Sequence, residues 1–225
     1  MSFERTAAEP PTDAAGAQAM PSQVLGAPGA MLVIVSGPSG VGKDSVIDAL
    51  RDDPGDSDFH YVVTCTTRPR RSYEVNGVHY RFLSNEAFAT LRDAGELLEA
   101  NEVHGNWYGT PRADVRDALV SGHDVMLKID VQGAAVVKQR VEDALLIFLV
   151  PPSLEDLFQR LQARATESAD ELDIRQRNAA LEIARQDDYD HVVVNETGEI
   201  DRTAARIKEI VATEKAAHPD RRTRI

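Results

Sequence analysis

Leu32-Val33-Ile34-Val35-Ser36-Gly37-Pro38-Ser39-Gly40-Val41-Gly42-Lys43-Asp44-Ser45 is the stretch that decides the fold. Five residues, four of them aliphatic, read as a buried strand; a glycine-rich turn follows; helical spacing then runs over 43–51. A strand, a GxxxxGK turn and a helix make the phosphate-binding P-loop. Its glycines let backbone N–H groups point inward around phosphate oxygens. The helix N-terminus adds partial positive charge, and Lys43 reaches the β- and γ-phosphates. The pattern departs at one position: Asp44 stands where a Ser or Thr ordinarily binds Mg²⁺, and Ser45 comes one residue later. Both are candidate Mg²⁺ ligands. The loop by itself specifies a bound nucleoside triphosphate and leaves the acceptor open.

Outward from this loop, β-branched or aliphatic runs alternate with helical patterns. Strands are expected at 32–36, 61–64, 125–129, 145–150 and 191–194, and helices at 43–51, 86–94, 112–120, 134–140, 154–163, 171–186 and 201–216. Apolar strands separated by helices imply an α/β fold, a doubly wound parallel sheet covered on both faces, with ligands outside the carboxyl ends of its strands. The Asn76-Gly77 turn within 75–82 implies a small mixed β insertion. Ser84 suits a helix N-cap, Gly95 and Gly122 suit positions just past helix ends, and 151–153 closes a strand and opens a helix.

The chain has 225 residues, 42% hydrophobic and 28% charged, which bounds it to one large globular domain with an appendage and excludes collagen-like or wholly disordered classes. Net charge −12 argues against nucleic acid or an anionic membrane surface as a partner, so an anionic substrate has to meet clustered arginines. The longest apolar runs, 31–35 and 145–150, fall far short of the roughly 20 residues needed to span a bilayer. A single cysteine, Cys65, forms no internal disulfide or zinc site; it reads as a packing residue, in a chain expected in the cytoplasm. The six histidines show no metal-ligand spacing. Eight Ala, four Pro and three Gly within residues 1–30 predict a disordered tail, with Met31 an alternative start. The domain is expected over 31–217, and 218–225 as a C-terminal tail.

Three further segments name the acceptor. They are Thr64-Cys65-Thr66-Thr67-Arg68-Pro69-Arg70-Arg71-Ser72-Tyr73-Glu74-Val75-Asn76-Gly77-Val78-His79-Tyr80, then Gly105-Asn106-Trp107-Tyr108-Gly109-Thr110, then Asp130-Val131-Gln132-Gly133. With the P-loop, in this order, the chain from about 32 to 215 resembles guanylate kinase. The residues themselves fit a second phosphate site. Arg68 and Arg71 can fork around a phosphate monoester while Tyr80 and Tyr108 donate hydroxyls to it. Guanine shows an acceptor at O6 and donors at N1 and N2; Thr64 and Thr110 offer hydroxyls to the first, Glu99 and Asp130 carboxylates to the second. Adenine leaves those carboxylates facing the wrong edge. The resemblance implies ATP on Gly37, Pro38, Ser39, Gly40, Val41, Gly42, Lys43, Asp44 and Ser45, with Mg²⁺. It implies GMP on Thr64, Arg68, Arg71, Glu74, Tyr80, Glu99, Tyr108, Thr110 and Asp130.

Residues 160–168, followed by Arg175, resemble the family's lid over the ATP phosphates. Lys43, Arg68, Arg160, Arg164 and Arg175 are therefore the expected catalytic cations; Asn195 aligns with a residue near the adenine site. Lys128 precedes Ile129-Asp130 where the family more often has Asp, so one carboxylate is gained at 44 and one lost at 128. An Asp44–Lys128 ion pair, or a shared Mg²⁺ water shell, is the expected compensation. Two other readings stand beside this one. The ribose 1,5-bisphosphate phosphokinase group can share Gly-Lys-Asp-Ser, and guanylate-kinase-like modules can serve interaction without catalysis.

Overall fold

A computed structural model describes residues 24–53, 59–103, 105–163 and 169–225, excepting the side chains of 163 and 169–175. Strand β1 (Leu32–Ser36) lies at the centre of a five-stranded sheet. Its order is β2 (Phe59–Tyr61), β7 (Asp124–Lys128), β1, β8 (Leu145–Val150), β9 (His191–Val194), and every pairing is parallel. Successive side chains of β1 point to opposite faces. Val33 and Val35 pack with Ile47 and Leu50 of α1 (Lys43–Asp52), Leu157 of α5 (Leu154–Ala163) and Ile207 of α7 (Ile200–Ala217). Leu32 and Ile34 pack with Leu119 of α3 (Arg112–Val120) and Val137 of α4 (Val131–Arg140). This two-sided burial is what a continuous aliphatic strand between helices requires, and it is the doubly wound sheet.

A second sheet, ordered β4 (Arg81–Phe82), β3 (Cys65–Thr66), β6 (Asn106–Pro111), β5 (Leu97–Val103), stands beside the first. Helix α2 (Asn85–Asp93) flanks it, capped by the Ser84 hydroxyl, which accepts from the Ala87 amide at 3.2 Å. The strand expected at 61–64 is divided between the two sheets. Val62 N–H still bonds Met126 in the main sheet, while the Thr64 carbonyl already accepts from Arg81 in the second. The β5–β6 hairpin was not foreseen because its inward positions include Glu99 and Thr110, both buried and polar, which break the apolar alternation. Helix α6 (Ala169–Ile183) follows the lid segment, of which residues 164–168 lie outside the described residues.

The expected tails need correction where they are described. Val24, Gly26 and Gly29 donate backbone hydrogen bonds to Ile225, Thr223 and Arg221, and Ala27 donates to Leu119 at the end of α3. Residues 24–30 and 221–225 thus close against each other and the core, because Ala30 and Ile225 bury apolar surface and their backbones pair. Residues 1–23 lie outside the described residues. Among the described residues no helix is long and apolar enough to cross a membrane.

The fully buried Thr223 hydroxyl donates to the Ala30 carbonyl at 3.0 Å. Thr223→Val keeps the shape and removes the donor, so a loss of about 1–2 kcal/mol in urea unfolding is expected. An unchanged midpoint would show that the terminal pairing adds no stability.

Candidate functional site

The P-loop leaves β1 at its carboxyl end. Gly37 has φ 145° and lies so close to β8 that a Cβ would sit 2.4 Å from the Leu149 carbonyl oxygen; only glycine fits there. Gly42 has φ 103°, and a Cβ there would meet the Asn195 amide nitrogen at 2.6 Å. Asn195 buttresses the loop from behind. Its Nδ2 donates to the Val41 carbonyl at 2.7 Å, and its Oδ1 accepts from the Thr203 hydroxyl at 3.0 Å. Lys43 folds back so that Nζ donates to Gly37 O at 2.6 Å and Pro38 O at 3.1 Å. Burial pulls the Lys43 amine below its ordinary value, although Glu182, Asp44 and Asp130 oppose this with negative charge.

Glu182 was not anticipated. From α6 its Oε2 accepts the Ser39 amide hydrogen at 3.0 Å, so a carboxylate occupies one of the loop's inward donors. No local signal marks it, since it lies 143 residues from its partner. Arg160 also differs from expectation. Its guanidinium donates to Val41 O, Asn195 O and the Thr197 hydroxyl at 2.7–3.1 Å, which ties α5 to the loop instead of presenting a bare charge. Asn195 accordingly serves loop support. Arg164 and the Arg175 side chain lie outside the described residues.

On the acceptor side, Glu74 is the organiser. Buried to 3% exposure, it receives both Arg68 terminal nitrogens, at 2.7 and 3.1 Å, and the Arg71 amide at 2.7 Å. Burial raises the Glu74 carboxyl, but the Arg68 and Arg71 bonds outweigh it and leave it below its ordinary value. Both Glu74 oxygens are engaged by the arginine loop. Arg68 lies over the Tyr80 and Phe82 rings, and Tyr80 and Tyr108 meet edge to face at 6.0 Å between centroids. Arg71 keeps a half-exposed side chain beside Tyr73.

The base-reading residues gather where β5, β6 and the start of α4 meet. Glu99 is buried; its Oε1 accepts from the Thr110 hydroxyl at 2.7 Å and its Oε2 from Asn101 Nδ2 at 2.8 Å. Thr110 therefore orients Glu99. Asn101 is a further residue of this group, on a strand that the sequence pattern does not mark. Asp130 caps α4, its Oδ1 accepting from the Gly133 amide at 2.6 Å, and Gly133 keeps the pocket open, since a Cβ would press on Glu99, Asp130 and Asn101 at 3.2–3.4 Å. Thr64 is buried on a cleft wall shared with Asp44, His79 and Lys128. Burial pushes the Cys65 thiol up to about 11, consistent with packing.

Between the two halves, Lys128 makes the expected ion pair with Asp44. Asp44 is an oxygen donor of the kind a hard divalent cation takes, and Ser45 is exposed beside it. Among the described residues no group of three or more His, Cys, Asp or Glu is placed to hold a metal ion.

Comparison with known proteins gives one answer. The guanylate kinase family model matches residues 29–214. A guanylate kinase of Chelativorans sp. (strain BNC1) is 42% identical over 204 residues, covering 90% of this chain and 91% of its own. One from Symbiobacterium thermophilum is 43% identical over 190 residues, covering 84% and 88%. The crystal structure of guanylate kinase from Anaplasma phagocytophilum superposes with TM-score 0.67 at 34% identity, covering 85% of this chain and 88% of that one.

Two outcomes follow from this geometry. Burial, with help from Asp130 and against the Thr110 hydrogen bond, pushes the Glu99 carboxyl up from 4.5 to about 7. Folded Glu99 then holds its proton where the unfolded chain has lost it, so stability falls as pH rises from 4.5 to 7, and Glu99→Gln flattens that slope in urea titrations. GMP affinity rises over the same window as the carboxylate becomes an acceptor; a pH-independent dissociation constant by calorimetry would contradict it. Separately, Glu74→Ala releases Arg68 and is expected to weaken GMP by roughly tenfold or more while leaving guanosine, which lacks the phosphate, unchanged. Equal losses for both ligands would place Glu74 elsewhere in the mechanism.

Proposed function

The chain belongs to the guanylate kinase family, and on that premise we propose that it transfers the γ-phosphoryl group of ATP to GMP, giving ADP and GDP. The observation that supports this best is the juxtaposition across one cleft of a P-loop and an arginine anchored on a buried glutamate, with a second buried carboxylate, Glu99, at the base end. A phosphate oxygen of GMP attacks the γ-phosphorus as the bond to the ADP oxygen breaks. The acceptor is already anionic, so the protein's task is alignment and charge neutralisation rather than proton abstraction.

Each part of the chain has a role in that task. The loop amides and Lys43 hold the donor phosphates; binding draws Lys43 off the Gly37 and Pro38 carbonyls and Ser39 N–H off Glu182. Arg68, Arg71, Tyr80 and Tyr108 hold the acceptor phosphate. Arg160 keeps the lid helix seated on the loop, and Arg164 and Arg175 supply the lid's charge. Glu99 and Asp130 accept from guanine N1–H and N2–H, with Thr64 toward O6. Asp44, with Ser45 beside it, would hold the Mg²⁺ that accompanies ATP, and the ion would supply neutralisation of phosphate charge.

Asp44, which the sugar-phosphate kinases can share, is accounted for by its partner Lys128, and a sugar phosphate has no use for Glu99. Offering GMP, AMP and ribose 1,5-bisphosphate in parallel to a coupled ADP-release assay is expected to give turnover with GMP alone. GMP at a hundred times its dissociation constant is expected to stabilise the fold by about 2.7 kcal/mol. Turnover with the bisphosphate and none with GMP would reverse the acceptor assignment.

A further inference from the structure

Lys128 ends β7, and parallel pairing sets it against Val35, two residues before the P-loop begins. From there its ammonium reaches two groups on different parts of the molecule. One is the carboxylate of Asp44, the residue after the P-loop lysine. The other is Tyr80 of the acceptor-phosphate cradle, whose ring centre lies 4.8 Å away and whose phenol interacts with the ammonium. The Lys128 side chain is only 18% exposed, whereas its partner Asp44 is 55% exposed, so the pair joins a largely buried cation to an acid at the cleft mouth. The cleft that Lys128 lines also contains Thr64 and His79, on the acceptor side of the same gap.

We propose that Lys128 is a positioning residue that holds the acceptor's phosphate cradle in register with the donor loop, acting through Tyr80 on one side and Asp44 on the other. The inference rests on the kinase function proposed above. A flexible four-carbon stem ending in three donors can serve a carboxylate and a phenol at once, which a carboxylate at this position cannot. The same ammonium offsets the negative charge of Asp44.

The test is calorimetric titration with GMP alone, in the absence of ATP and metal, on the full chain and on Lys128→Met, Lys128→Arg, Asp44→Asn and the Asp44→Asn/Lys128→Met double variant. Lys128→Met is expected to weaken GMP on the order of tenfold to a hundredfold, the range for losing one charged hydrogen-bonding partner, and Lys128→Arg to recover part of it. Asp44→Asn is expected to weaken GMP as well, although Asp44 belongs to the donor loop, and to add nothing in the Lys128→Met background. A residue that merely supports the fold does not make acceptor affinity depend on a donor-loop side chain in this way. Thermal melting checks that each variant is folded; if Lys128→Met is not, Lys128→Gln is read by the same criteria. Wild-type GMP affinity in a folded Lys128→Met or Lys128→Gln, or a full additional loss from Asp44→Asn in that background, overturns this inference alone. A wild-type chain that binds no GMP overturns the kinase function and this inference with it.

Discussion

Two phosphate groups that repel each other have to be brought within bonding distance, in a chain whose own net charge is −12. That constraint organises the cleft. Cations are needed at its centre, and free cations would be drawn to the acidic groups around them. The structure assigns each one an acid at a set place: Glu74 for Arg68, Asp44 for Lys128, and Glu182 near Lys43. The buried Glu74 pair is the strictest of these. Removing one partner of such a pair leaves the other charge desolvated, so its geometry is held tightly. A fork fixed in this way meets a phosphate without first losing side-chain freedom.

The same logic extends to neutral groups. Thr110 and Asn101 each donate to one oxygen of Glu99, which aims the carboxylate and partly offsets its burial. Asn195 and Arg160 bind the P-loop from outside, through the Val41 carbonyl, leaving its inward amides for the ligand. Thr110, Asn195 and Arg160 are thus each hydrogen-bonded to a neighbouring group of the site. Preorganised donors of this kind are what electrostatic stabilisation of a phosphoryl transfer requires, because they need no rearrangement as charge develops.

Glu182 on the Ser39 amide shows the converse case. A carboxylate is a fair substitute for a phosphate oxygen at an N–H donor, and Glu182 satisfies the Ser39 amide in that way. Its position on α6, the helix that follows the lid segment, means that donor binding and the placement of that helix share one contact.

Local rules were enough for the parts of this protein whose physics is local. The aliphatic run of β1, the glycines that alone tolerate the loop's backbone angles, the Ser84 cap and the helical spacing all act over a few residues, and each stands where the sequence puts it. The ordered set of motifs likewise pointed to the family, and the opposite charges at 44 and 128 announced their pairing. Contacts between distant segments were beyond that reach: the Glu74 hub is legible only once its loop is folded, and Glu182 meets Ser39 across 143 residues. Periodicity also failed for Leu97–Val103 and Asn106–Pro111, because a strand that turns a glutamate and a threonine inward to build a pocket no longer alternates as a packing strand does. Which side chain holds its neighbour in place depends on hydrogen-bond partners that chain order does not specify, and tertiary structure alone decided it.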